Sequence, residues 1–141
     1  SRPRITPTPT LVLKDVKGIF AISVAGGDIQ EQTTLNCLLN RIDFSMMPED
    51  AVTAPRFNTF HHDNSFKSSA NRDETIVDLG TLTVDERIGE SVRTNLSKRG
   101  HFVSTTDRLI ATPVMIYLDP STKVIHAAGY PRTRRHAVAI E

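Results

Sequence analysis

Two adjacent glycines, Gly26 and Gly27, separate the apolar run ending Ser23-Val24-Ala25 from a polar segment that opens at Asp28. A strand–Gly-Gly–helix junction presents backbone N–H groups that the helix leaves unpaired, with no side chain to hold a reacting group away. Donors placed in this way can hold a carboxylate or the oxyanion of an acyl-transfer intermediate. Taken alone, the pair reads first as a plain tight turn. Asp28 also competes for those donors, because its spacing to Glu31 is that of a capping box.

The other chemistry-bearing residues are less organised. His61-His62-Asp63 invites a metal reading, but neighbours on a strand point to opposite faces and no third ligand stands at a zinc spacing. No metal site and no cofactor are expected. His101, His126 and His136 are isolated and read as surface or satisfied core histidines. Cys37 is the only cysteine, which excludes an internal disulfide, and no His or acid is paired with it, so a half-buried helical thiol is expected. Ser1 with a free amine would be an N-terminal nucleophile. Followed by Arg2-Pro3, it reads as a chain boundary on extended backbone instead. Arg132, Arg134 and Arg135 read as a solvated or interface-pairing tail.

The elements that must position Gly26 and Gly27 are marked by local signals. Leu11-Val12-Leu13 and Ile19–Val24, split by Asp15-Val16-Lys17-Gly18, predict a β-hairpin. Both runs are nearly continuous in apolar residues, which predicts burial on two faces. Leu35, Leu38, Leu39 and Ile42 fall at i, i+3, i+4 and i+7 and predict a helix with that stripe inward. A short helix is predicted from Pro48 to before Pro55, a strand over Arg56–Phe60, and a surface loop over 61–74. Thr83 with Glu86, then Val84, Ile88, Val92 and Leu96, predict a third helix stopped by Gly100. Strands are predicted near 109–118 and 124–129, joined by Asp119–Thr122. The order fits an antiparallel sheet with helices on one side rather than βαβ alternation.

A chain of 141 residues is one domain, or one portion of a larger domain, over 1–141. The formal charge of +1 gives no electrostatic reason to expect nucleic acid or a membrane surface as partner. No stretch is apolar enough to span a bilayer, and the start is no signal peptide. The compartment stays open between periplasm, exterior and cytoplasm.

Several motifs occur in a telling order. They are Arg2-Pro3, Pro9-Thr10, Gly26-Gly27, Leu38-Leu39-Asn40, Ile42-Asp43-Phe44 and Ala51-Val52-Thr53-Ala54-Pro55-Arg56-Phe57. Together they resemble the small subunit of gamma-glutamyltransferases, most densely over residues 1–60. The match continues more loosely through Lys98–His101 and Ala127–Gly129. The Gly-Gly-Asp form with Gln30 beyond it is similar to a bacterial-type branch.

The resemblance implies an α+β fold: a portion of the αββα sandwich of N-terminal-nucleophile hydrolases, with mainly antiparallel strands. It implies a precursor that cleaves itself, freeing a Thr that attacks a gamma-glutamyl carbonyl. Water or an acceptor amine then resolves the glutamyl-enzyme ester. Gly26 and Gly27 match the oxyanion-hole pair. Thr6 is the one hydroxyl left where relatives often carry a Ser-Ser pair for the substrate carboxylate, since Ile5 replaces the other. Tyr130 stands before Pro131-Arg132 where relatives commonly show Asp. The nucleophilic Thr falls upstream of Arg2. The expected partners are therefore a gamma-glutamyl small molecule, the large subunit and the N-terminal part of the small subunit, with self-association an open alternative. The complete protein is expected to be an enzyme and this chain alone inactive. The alternative is a non-catalytic relative or fragment with a structural role.

Overall fold

The computed structural model describes residues 8–15, 17–61, 71–74, 76, 78–133 and 135. Ser1, Thr6, His62, Asp63, Arg134 and His136 lie outside this set. Two strands, β1 (Thr10–Lys14) and β2 (Lys17–Ala25), form the expected antiparallel hairpin, with a register shift between Val12 and Leu13. After β2 come a 3-10 turn at Gly27–Ile29, helix α1 (Gln30–Ile42), helix α2 (Pro48–Thr53) and a short β3 (Phe57–Asn58). Next are β4 (Thr81–Asp85), α3 (Glu90–Lys98), β5 (Phe102–Thr106), β6 (Thr112–Leu118) and β7 (Ile125–Gly129).

These strands make two sheets, not one. The first is antiparallel in the order β1-β2-β6-β7, and the second runs β3-β4-β5. Within the second, β3 and β4 are antiparallel but β4 and β5 are parallel, joined through α3. One βαβ unit is therefore present where none was expected. Strands remain mainly antiparallel and the class is α+β.

The core sits between the first sheet and its two helices. Phe20, Ile22 and Val24 of β2 and Met115 of β6 pack with Cys37 of α1 and with Ala51 and Val52 of α2. Only this face of the sheet is covered among the described residues. Leu11, Leu13, Ile116 and Ile125 stay exposed, contrary to burial on two faces. The helix stripe is corrected in the same way. Thr33 and Cys37 form the buried face of α1, while Leu35 and Leu39 are 55% and 43% exposed. The apolar period is real, but the sheet meets the helix on the neighbouring face. Cys37 is fully buried rather than half-buried.

Side chains of α1 anchor α2 and the segment that follows it. Asn40 donates its Nδ2 to the Ala51 carbonyl at 3.1 Å, and the Cys37 Sγ lies 3.8 Å from the same oxygen. The Gln32 amide clasps Thr59 at both ends, donating to its carbonyl at 2.9 Å and accepting its N–H at 2.8 Å. Arg41 lies over the Tyr117 ring at 4.0 Å, which pins the helix to β6.

Three local expectations change for identifiable reasons. Residues 81–85 form a strand, not the start of a helix, because Leu82 and Val84 alternate inward between threonines. Thr83 bonds Ser104 across the parallel pair at 3.1 Å instead of capping a helix. The residues that open the 3-10 turn and α1 are Gly26 and Ile29, neither with a side-chain cap, so Asp28 lies inside the 3-10 turn rather than at a helix N-cap. The strands expected over 56–60 and 109–118 shrink to 57–58 and 112–118. Gly100 does end α3: with φ +97, it and His101 return their N–H groups to Ser97 and Leu96 in a Schellman arrangement.

The β6–β7 connection carries a testable electrostatic feature. Asp119 accepts from the Ser121 hydroxyl at 2.6 Å and from the Ser121 and Thr122 N–H groups at 2.8 and 3.3 Å. These bonds, the Ser121 hydroxyl first, hold its pKa down to about 2. A depressed carboxyl stabilises the turn above its ordinary pKa, and that contribution disappears as pH falls from about 4 towards 2. Carboxyl NMR titration is expected to place the midpoint near about 2 and to move it upward in Ser121→Ala. An unchanged midpoint in that variant would remove the hydroxyl as the cause.

Candidate active site at the glycine junction

Strand β2 brings the chain to the junction and β6 holds it there. Ala25 pairs with Thr112, whose Oγ1 also donates to the Ala25 carbonyl at 3.2 Å. Gly26 comes next with φ 170, an extended value open to any residue. Its lack of a side chain is a matter of space. A Cβ there would stand 2.6 Å from the Ala111 Cβ and 3.2 Å from the Ala111 Cα. Glycine suits position 27 for a different reason, since its φ of +60 is left-handed and costs a residue without Cβ least.

The carbonyls of this junction are engaged. Ile29 donates to Gly26 at 3.4 Å, and Gln30 donates to Gly27. Neither the Gly26 nor the Gly27 N–H donates a turn, loop or cap bond among the described residues. Both donors precede the 13-residue α1, whose N-terminal end favours negative charge. A groove of about 180 Å³ opens beside that end, lined by Thr8, Thr10, Gln30, Glu31, Thr34, Leu35 and Leu38. Thr8 Oγ1 stands 3.2 Å from Ser23 Oγ. Thr6, the expected carboxylate contact, lies outside the described residues.

A second cluster ties the end of α2 to the loop before β6, and the sequence assigned it no role. Arg56 is 4% exposed and shares no salt bridge among the described residues. Its guanidinium donates to the Val52 carbonyl, to Ala54 at 3.5 Å and to Ile110 at 3.3 Å. Val52 and Ala54 stand at the C-terminal end of α2, where a cation is favoured. The Tyr130 ring, also buried, lies 5.5 Å from the guanidinium. Burial pushes the Arg56 pKa down, opposed by Cys37 and then Tyr130. Nearby, Arg87 forks onto Asp85 at 2.9 and 2.6 Å and holds that carboxyl below its usual range. The signal for Arg56 was a lone arginine inside Ala-Pro-Arg-Phe, next to helix-ending residues.

Cys37 is fully buried and close enough to Arg56 to feel its charge. Burial pushes its thiol up, with Arg56 partly opposing. Among the described residues, no group of three His, Cys, Asp or Glu could hold a metal ion.

The family model described as gamma-glutamyltranspeptidase matches residues 1–140. The chain belongs to the gamma-glutamyltranspeptidase family. A curated relative, the glutathione hydrolase proenzyme of Pseudomonas sp. (strain A14), is 41% identical over 56 residues. That match covers 40% of this chain and 10% of the relative. The gamma-glutamyltranspeptidase structure from Helicobacter pylori aligns with a TM-score of 0.72 and 27% identity, over 94% of this chain and 63% of that one. A cephalosporin acylase from Bacillus halodurans shares the fold, with a TM-score of 0.72 and 23% identity over 88% of this chain and 20% of its own. The chain thus spans about a tenth of the curated relative and under two thirds of the Helicobacter chain.

Proposed function

We propose that this chain supplies the oxyanion hole of a gamma-glutamyl transfer or hydrolysis reaction, within an enzyme whose nucleophilic Thr lies on a segment outside the chain. The observation that carries the reading is the pair of N–H groups at Gly26 and Gly27, at a strand–helix junction where Gly26 leaves no room for a Cβ and Gly27 takes a left-handed φ. The family and the printed name of the Pseudomonas relative support a gamma-glutamyl amide, glutathione among them, as substrate.

The chemistry builds on the donors. The Thr hydroxyl attacks the gamma-carbonyl and loses its proton to a base. The carbonyl oxygen becomes an oxyanion, which the two N–H groups stabilise without reorganising. Collapse expels the amine, which takes up a proton, and leaves the glutamyl ester. Water or an acceptor amine repeats the sequence and frees the Thr. Thr6 would contact the substrate carboxylate. The uncovered faces of β1, β6 and α1 would be closed by the remaining segments of the enzyme.

The purified 141-residue chain, given a chromogenic glutamyl anilide, is expected to show no turnover. Oxyanion donors have nothing to stabilise without an attacking hydroxyl. Turnover that vanished in Ser1→Ala would overturn this reading and make Ser1 the nucleophile.

A further inference from the structure

We propose that Ala111 is a positioning residue of the oxyanion site, the wall against which Gly26 is seated. The proposal rests on the oxyanion reading above and concerns what sets the position of one donor. Gly26 has no side chain to anchor it. The contact that defines its place comes from outside its own strand, from the Ala111 methyl group.

Two of three consecutive residues meet the end of β2, and the first ties them to Arg56. Ile110 gives its carbonyl to the buried Arg56 guanidinium at 3.3 Å. Ala111 is buried and occupies the place a Cβ on Gly26 would need. Thr112 pairs with Ala25 and donates its hydroxyl to the Ala25 carbonyl at 3.2 Å. The middle residue is the strained one, with φ +57. Such a conformation persists in a residue with a side chain only where its surroundings over-determine it. Glycine would take this φ freely, so the loop retains a methyl group at the expense of its backbone. Arg56 ties the loop to the C-terminal turn of α2 and thereby acts on the donor through Ile110 and Ala111.

The test uses the complete enzyme, with rates normalised to the fraction that has cleaved itself. Ala111→Gly removes the wall while relieving the backbone, so its melting temperature is expected to stay near the parent's. Its kcat is expected to fall about tenfold, less than the loss of a whole donor, with KM within about twofold. Parental kcat in a folded Ala111→Gly would overturn the proposal. The second arm moves the methyl group from one side of the contact to the other. Gly26→Ala is expected to lose about 10²-fold in kcat. Combining it with Ala111→Gly is expected to recover about tenfold of that loss rather than add to it. Recovery stays partial because the new Cβ still meets the Ala111 Cα at 3.2 Å and Ile29 Cγ1 at 3.3 Å.

The outcomes separate the two claims. Additive losses, with Gly26→Ala still slow, would overturn the wall and leave the oxyanion reading standing. Coupled melting temperatures with unaltered kcat throughout would overturn the oxyanion reading, and the proposal with it.

Discussion

Gly27→Val in the complete enzyme is expected to lower kcat by about 10²–10³-fold, or more, with KM changed far less. A valine does two things at this site. It forces a β-branched residue into a φ of +60, which pulls the 3-10 turn and its amide out of place. It also puts a branched side chain where the reacting carbonyl must approach. Oxyanion donors act chiefly in the transition state, so the loss belongs in kcat rather than in ground-state binding. Cys37→Ser is the control, expected to stay within about a few-fold. The new hydroxyl keeps the Ala51 carbonyl as acceptor, and the thiol it replaces is fully buried with no assigned role. Parental turnover in Gly27→Val would remove the oxyanion assignment and reduce family membership to ancestry.

The second large effect is on stability. Arg56→Leu leaves the Val52 and Ile110 carbonyls without their donor inside the fold. Each buried acceptor left unpaired costs about 1–3 kcal/mol, so the complete protein is expected to lose about 2–5 kcal/mol in denaturant unfolding. That is a large share of the roughly 5–15 kcal/mol that holds a typical domain together. Arg56→Lys is expected to recover only part of it. One ammonium is a point donor and cannot span carbonyls on α2 and on the loop before β6 as a planar fork does. A loss below about 1 kcal/mol in Arg56→Leu would mean that water or a rearranged loop satisfies both carbonyls.

Local punctuation made much of this fold legible in the sequence. The hairpin, the α2 span from Pro48 to Thr53 and the stop at Gly100 each rest on signals within a few residues. What failed was non-local. Val84 fits both an every-fourth-residue series and a period-two alternation, and its burial against neighbouring strands decides for the strand. The leucine period of α1 was visible, but which face turns inward depends on where β2 and β6 stand. The same holds at the site. Gly26-Gly27 could be singled out because glycine pairs are local features. The reason for Gly26 is a methyl group far along the chain, and the reason for Arg56 is a carbonyl beside it. Neither spacing repeats in any motif.

The catalytic role proposed for this chain stands or falls with the Gly26 and Gly27 amides facing the carbon under attack. A structure of the complete enzyme carrying a tetrahedral phosphonate adduct on its nucleophile decides whether they do. The expected result is one phosphonate oxygen about 2.7–3.1 Å from both amide nitrogens. An adduct oxygen held by other donors, with both glycine N–H groups bonded inside the protein, would show the role to be wrong.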